Sequence, residues 1–314
     1  MGEVDSRCSS RKCSCRLSDR RVAMPQVKEF PVVWLQLSGC SGCAVSLLNT
    51  RDPDIRNVLL DELVPGRHVN LLFHPVVMAG EGAPAMEVID QGRLPAEFVL
   101  LVEGAVPTGA DGRYGAVGEL DGHEITMVEK FQILAERSSA ILAVGTCASF
   151  GGISAASPNP TSCVSVLRFC EENRIEKTIV HAPGCPPHPD WMLGTVAALL
   201  TGRLTPADLD DLRRPLMFYG KLVHENCPRR ADFDAGKFAQ RPGDAGCMYM
   251  AGCKGPETYA DCWLRMWNAS TNWSIGARSP CHGCVEPFFP DDYSPLYEKL
   301  TVERLARFAL KKKL

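Results

Sequence analysis

Fifteen cysteines in a chain of 314 residues constrain this sequence more than any other feature. A chain of this length buries a sizeable core and has no need of disulfide staples, so thiols at this density point to metal before bridges. With 45% hydrophobic and 23% charged residues, the composition is globular rather than disordered. A net charge of −3 leaves no basic field to hold nucleic acid or an anionic membrane. No apolar run reaches the roughly 18 residues that a membrane span needs. The first 30 residues are polar and basic. Arg20-Arg21 is followed by VAMPQVKEF, where Pro25, Lys28 and Glu29 leave no apolar h-region and no cleavage site. The expectation is a disordered tail over 1–30 on a protein of the cytoplasm, in preference to the periplasm, where thiolates stay reduced. Cys8, Cys13 and Cys15 lie in that tail, as surface thiols or as ligands of a further metal. LARFALKKKL at the other end reads as a short amphipathic helix with a basic tip.

From residue 31 to about 204, apolar runs alternate with helical stretches. The runs are PVVWLQL (31–37), HVNLLFHP (68–75), FVLLVEGAV (98–106), AILAVGTC (140–147) and KTIVHAPG (177–184). AVSLLN, ITMVEKFQILAER and PTSCVSVLRFCEENR are the helical candidates between them. Continuous apolar strands separated by helices predict a parallel, doubly wound α/β sheet. RLTPADLDDLRRP reads as a linker, and 205–314 is a second region rich in Gly, Pro, Trp and Cys with little apolar periodicity. Such a segment needs something besides a core to fix it, and metal clusters supply that.

In an open parallel sheet the functional loops lie beyond the carboxyl ends of the strands. The first strand ends in SGCSGC with Cys40 and Cys43, the third in Glu103-Gly104, the fourth in Cys147 and the fifth in Cys185. Four cysteines beside glycines are thereby delivered to one edge of one sheet, the pattern of a four-cysteine cluster site. A redox CxxC pair or buried core thiols is the alternative reading. The C-terminal region carries His224, Cys227, Cys247, Cys253, Cys262, Cys281 and Cys284. One histidine and six cysteines divide poorly into tetrahedral zinc sites but do divide as four plus three, a four-iron and a three-iron cluster. Two zinc sites lacking a ligand remain the alternative. His282 sits within PCHGC as a hydrogen-bonding or exposed residue rather than a ligand. Cys163 and Cys170 fall seven apart on a predicted helix, a packing spacing.

SGCSGC, VEGAVPTGADGRY, AVGTCASFGG, PNPT, APGCPP, HENCPRR, GCKGP and PCHGCVEPFFPD occur in the order found in small subunits of nickel–iron hydrogenases, and the chain resembles that family from about residue 31 to 297. The resemblance implies a flavodoxin-like domain over 31–204, followed by an irregular cluster-binding domain over 205–314. It implies a proximal 4Fe-4S cluster on Cys40, Cys43, Cys147 and Cys185. It also implies a distal 4Fe-4S cluster on His224, Cys227, Cys247 and Cys253, and a medial cluster on Cys262, Cys281 and Cys284. Ser274 stands where three-iron members usually have proline and four-iron members cysteine, so a 3Fe-4S medial cluster is expected. The implied partner is a large subunit holding the nickel–iron centre, in a heterodimer or a dimer of heterodimers, with an external electron acceptor.

Several positions depart from the family pattern. Val45 replaces a glutamate that many exported members carry, and Gly42 and Gly152 occupy the places of two extra cysteines in oxygen-tolerant members. The paired CxxC pattern of a nickel site is missing, so the implied role is electron transfer between hydrogen chemistry in the partner and the acceptor, with no catalytic residue of its own. Glu103 either orients its loop or carries protons. The rival readings are a hydrogen sensor, the related cluster subunit of respiratory complex I, and a zinc-stabilised interaction protein.

Overall fold

The computed structural model describes residues 27–90, 92–267, 270–304 and 306. The expected N-terminal tail with Cys8, Cys13 and Cys15, and most of the expected C-terminal helix, lie outside these residues. The central sheet has six strands: β1 (Lys28–Gln36), β2 (Glu62–Val64), β3 (Arg67–Phe73), β4 (Val99–Glu103), β5 (Ala140–Val144) and β6 (Thr178–Ala182). Their order across the sheet is β6-β5-β4-β1-β3-β2. All neighbours are parallel except β2, which returns antiparallel on β3 at the edge. Counted alone, the five parallel strands run in the order 2-1-3-4-5, the flavodoxin-like winding, with its switch point between β1 and β4.

Strand β1 explains why the sheet is covered on both faces. Its residues 32–35 are buried in succession, as a central parallel strand requires. Val33 and Leu35 pack with Phe131, Leu134 and Phe169 from helices Met127–Arg137 and Val166–Glu172. Val32 and Trp34 point the other way, onto Leu47, Met192 and Val196 of helices Gly42–Leu48 and Pro189–Leu200. The helix starts are chemically marked. Thr126 accepts a hydrogen bond from the Glu129 amide at 3.1 Å, and Nδ1 of His188 accepts from the Asp190 amide at 3.1 Å with Pro189 in the first turn.

Three expectations need correction. The helix expected over 160–174 forms only from Val166, because the Asn159 side chain clamps the Cys163 backbone N–H (2.8 Å) and C=O (3.0 Å). Cys163 therefore lies in a two-residue ladder against Val106–Pro107 while Cys170 is on the helix, although both are buried packing residues, 2% and 1% exposed. The run 140–147 is a strand only to Val144, and Cys147 belongs to helix Gly145–Phe150. The run RLTPADLDDLRRP (203–215), read as a linker, is anchored to the C-terminal region. Arg214 is buried, paired with Asp210 at 2.7 Å and with Glu286 at 3.1 Å. Beyond it the described helices are short, among them Leu216–Tyr219, Arg230–Asp234 and Cys262–Arg265. Here Phe218, Tyr219, Trp273 and Trp191 pack around Cys227, Cys253, Cys262, Cys281 and Cys284, so the thiols are themselves part of the core.

Candidate functional site

The switch point carries the first group of thiols. Beyond β1 the chain turns through Ser41 in the left-handed conformation (φ 60°) and enters helix Gly42–Leu48, bringing Cys43 inward and leaving Cys40 exposed. Glu103, at the end of the adjacent β4 and 1% exposed, fixes this turn. Its Oε1 accepts from the Cys43 and Ala44 amides at 3.0 and 3.3 Å, and its Oε2 accepts from Trp34 Nε1 at 3.1 Å. Burial pushes the Glu103 carboxyl up against the pull of those hydrogen bonds. Cys147 comes from the helix after β5 and Cys185 from the loop after β6. These two loops are stitched by the Thr146 amide to the Gly184 carbonyl and by the Gly184 amide to Thr146 Oγ1, both 2.9 Å. Between them, Gly145 (φ +84°) leaves the space that Cys43 uses: a Cβ there would stand 2.5 Å from the Cys43 sulfur.

The four thiols converge. Burial raises the Cys43 thiol far above its ordinary range, and the negative charges of Glu103, Cys147, Cys185 and Cys40 raise it further. Burial likewise pushes Cys185 up to about 11, with Cys147 and Cys40 adding to it. Buried thiols raised as Cys43 and Cys185 are become thiolates around cations, which is the donor chemistry an iron–sulfur cluster fits.

The C-terminal thiols form two further groups. His224, Cys227, Cys247 and Cys253 line one small pocket. The His224 ring stands edge-on to Phe233 at 4.6 Å, and burial together with Arg230 holds its pKa below the ordinary value, favouring the neutral imidazole that binds metal. Backbone amides already point at the sulfurs: Arg229 N–H to Cys227 and Gly255 N–H to Cys253, each at 3.4 Å. Cys262, Cys281 and Cys284 make the other group. Burial raises all three, Cys281 to about 12 and Cys284 to about 11; Cys262 also feels the charge of the other two, and Cys281 that of Cys284. His282 stays outside it, half-buried with its ring edge-on to Tyr297 at 5.0 Å.

The groups are linked in file, a feature no spacing in the sequence announces. Cys185 and Cys284 pack against the same aromatic cluster of Phe288, Phe289 and Tyr293, and the Thr146 hydroxyl donates to the Cys284 carbonyl. At the other end Cys281 and Cys253 pack in one core, tied by the Lys254 N–H to the Cys281 carbonyl at 2.7 Å, and burial pushes the Cys253 thiol up to about 12. Among the described residues, no three or more His, Cys, Asp or Glu side chains are close enough to grip a single metal ion, and no cysteine is in a disulfide.

Comparison with known proteins agrees with this geometry. Residues 40–199 match the family model described as NADH ubiquinone oxidoreductase, 20 Kd subunit. Residues 219–297 match the family model for the C-terminal part of the NiFe/NiFeSe hydrogenase small subunit, which separates the chain from the complex I reading. The periplasmic [NiFeSe] hydrogenase small subunit of Desulfomicrobium baculatum is 48% identical over 86% of this chain and 87% of its own length. The periplasmic [NiFe] hydrogenase small subunit 1 of Nitratidesulfovibrio vulgaris is 37% identical over 85% and 81%. The solved [NiFeSe] hydrogenase from Desulfovibrio vulgaris Hildenborough superposes with a TM-score of 0.81 at 42% identity, covering 86% of this chain and 98% of that one. Two of these relatives carry "periplasmic" in their names, which overturns the expected cytoplasmic placement. That expectation required a reducing compartment for free thiolates, whereas sulfurs packed in a folded core around iron are shielded from oxidation. Among the described residues no helix is long and apolar enough to cross a membrane.

Proposed function

The chain belongs to the small-subunit family of nickel–iron hydrogenases, and from that premise we propose which of its residues hold each iron–sulfur cluster. It is the electron-transfer subunit of the enzyme, active together with a large nickel–iron subunit. Cys40, Cys43, Cys147 and Cys185 hold a proximal four-iron cluster. His224, Cys227, Cys247 and Cys253 hold a distal four-iron cluster, and Cys262, Cys281 and Cys284 hold a medial three-iron cluster. The exposed side chain of Ser274, set against the buried sulfurs, supports three irons rather than four at the medial site. The proximal group belongs to a flavodoxin-like domain over 31–204 and the other two to an irregular domain over 205–314.

When bound, the clusters supply one-electron carriers between the partner's nickel–iron centre and an external acceptor. The protein's part is to hold the sulfurs in line, exclude water from them and aim amide dipoles at them. Glu103 orients the Cys43 turn by its three hydrogen bonds. The observation that carries the reading is the packing that brings Cys185 beside Cys284 and Cys281 beside Cys253. No observation favours a hydrogen-sensing role.

Iron, sulfide and zinc analysis of the anaerobically co-purified heterodimer, with paramagnetic resonance, tests this. The expected result is iron and sulfide for two four-iron clusters and one three-iron cluster, with a three-iron signal in the oxidised state. Stoichiometric zinc would contradict the assignment, and four-iron signals alone would overturn the medial part of it.

A further inference from the structure

We infer that Lys254 sets the reduction potentials of the medial and distal sites upward, as a buried ammonium whose backbone is tied to a ligand of each site. The inference rests on the ligand assignment proposed above.

Lys254 is 0% exposed. It follows Cys253 directly in the chain, and its backbone N–H donates to the Cys281 carbonyl at 2.7 Å, so one residue is tied to one ligand of each site. Its Nζ donates to two backbone carbonyls, of Gly252 and of Glu298, both at 2.8 Å. The second bond is possible because Gly252 lies at φ +97°, with the 296–298 segment packed against it; a Cβ there would stand 2.6 Å from the Glu298 amide nitrogen. Among the described residues no ion pair involves Lys254. The equally buried Arg214 makes the contrast, since it is neutralised by Asp210 and Glu286.

A buried ammonium costs several kcal/mol in lost hydration. Two carbonyl dipoles return part of that. The negative charge that acts on it most is the sulfur of Cys253, followed by that of Cys281 and then by the Glu298 carboxylate, while the Arg304 guanidinium opposes them. An iron–sulfur site bound by thiolates is anionic and gains a further negative charge on reduction, so a fixed cation beside it stabilises the reduced form more than the oxidised form. Lys254 therefore raises the potentials of the medial and distal sites together and leaves the proximal site alone. This makes it a positioning residue for charge rather than a ligand.

The test is a redox titration of the whole heterodimer followed by paramagnetic resonance, for wild type, Lys254→Met and Lys254→Arg. The three signals in wild type examine the ligand assignment independently of Lys254. The expected result is a shift of the medial and distal midpoints to more negative potential in Lys254→Met, an unmoved proximal midpoint, and near wild-type midpoints in Lys254→Arg. Unmoved medial and distal midpoints in a fully loaded Lys254→Met enzyme would overturn the inference. If Lys254→Met loses its clusters, Lys254→Arg decides: wild-type midpoints support the role of the charge, and lowered midpoints contradict it. Loss of the clusters from both variants would mean that the side chain builds the fold instead, and would also overturn it.

Discussion

Replacing Glu103 separates two roles that one carboxylate could have at the end of β4. The side chain accepts three hydrogen bonds from the Cys43 and Ala44 amides and the Trp34 indole, and it is shielded from water. Glu103→Gln keeps a carbonyl oxygen for the two amides but turns an NH2 group toward the indole N–H, leaving one buried donor unpaired at about 1–3 kcal/mol. Glu103→Ala abandons all three donors and opens a cavity, which by the same figure costs about 3 kcal/mol or more. If the carboxylate orients the turn that carries Cys43, the alanine variant loses proximal iron while the glutamine variant retains it with modestly lower thermal stability. If it carries protons, glutamine is as damaging as alanine, because an amide does not exchange a proton in turnover. The assay is proximal-cluster content by paramagnetic resonance alongside hydrogen–deuterium exchange in the heterodimer. A glutamine variant with full cluster content but no exchange activity would refute the orienting role, and so would an alanine variant with wild-type cluster content and thermal stability.

Further predictions concern the other parts of the site and the fold. Gly145→Ala should prevent proximal loading while sparing the medial and distal signals, because its Cβ would collide with the Cys43 sulfur; a normal proximal signal would contradict the packing described. Burial holds His74 at a pKa of about 4, and burial with the neighbouring Arg213 holds His181 at about 3. Both lie below the unfolded value, so the unfolded chain binds more protons. Stability is then full above about pH 6.5 and declines below it, by about 2 kcal/mol per histidine at pH 5. The melting temperature should therefore fall between pH 7.5 and pH 5, and His181→Leu should fall less; an unchanged pH slope in that variant would refute the assignment. His224→Cys should keep the distal cluster but lower its midpoint, since an anionic thiolate replaces a neutral imidazole, and slow hydrogen oxidation with a diffusing acceptor; an unmoved distal signal would remove His224 from the ligand set.

The parallel sheet was legible because its strands are buried on both faces, so PVVWLQL and AILAVGTC read as unbroken apolar runs whose ends deliver Cys40, Cys43 and Cys147. Helix Pro189–Leu200 was harder to see. It packs Met192 and Val196 under the sheet and Trp191 into the C-terminal core, so it is apolar around its circumference and shows no single stripe. Its readable signal is Pro189 after a capping His188. The helical reading of Cys163 failed because Asn159 diverts the backbone through side-chain hydrogen bonds that compete with helix formation. In the C-terminal region the thiols could be counted but not connected. Cys185 and Cys284 pack on one aromatic cluster across 99 positions of chain with no periodicity between them, a juxtaposition created by how Thr146 and Tyr219 lodge one region against the other. Arg214 likewise looked like one more charge in RLTPADLDDLRRP, since nothing local reveals that Glu286 awaits it.

The central claim is that this chain carries electrons through thiol-held sites arranged in file, while hydrogen is activated elsewhere. Cys262→Ala tests it most directly, because the proposed medial site has three sulfurs and none to spare. In the purified heterodimer, hydrogen–deuterium exchange should continue near the wild-type rate and the proximal signal should persist, whereas hydrogen-dependent dye reduction at the distal end should collapse. Dye reduction near the wild-type rate in an enzyme shown to lack the medial signal would contradict the account.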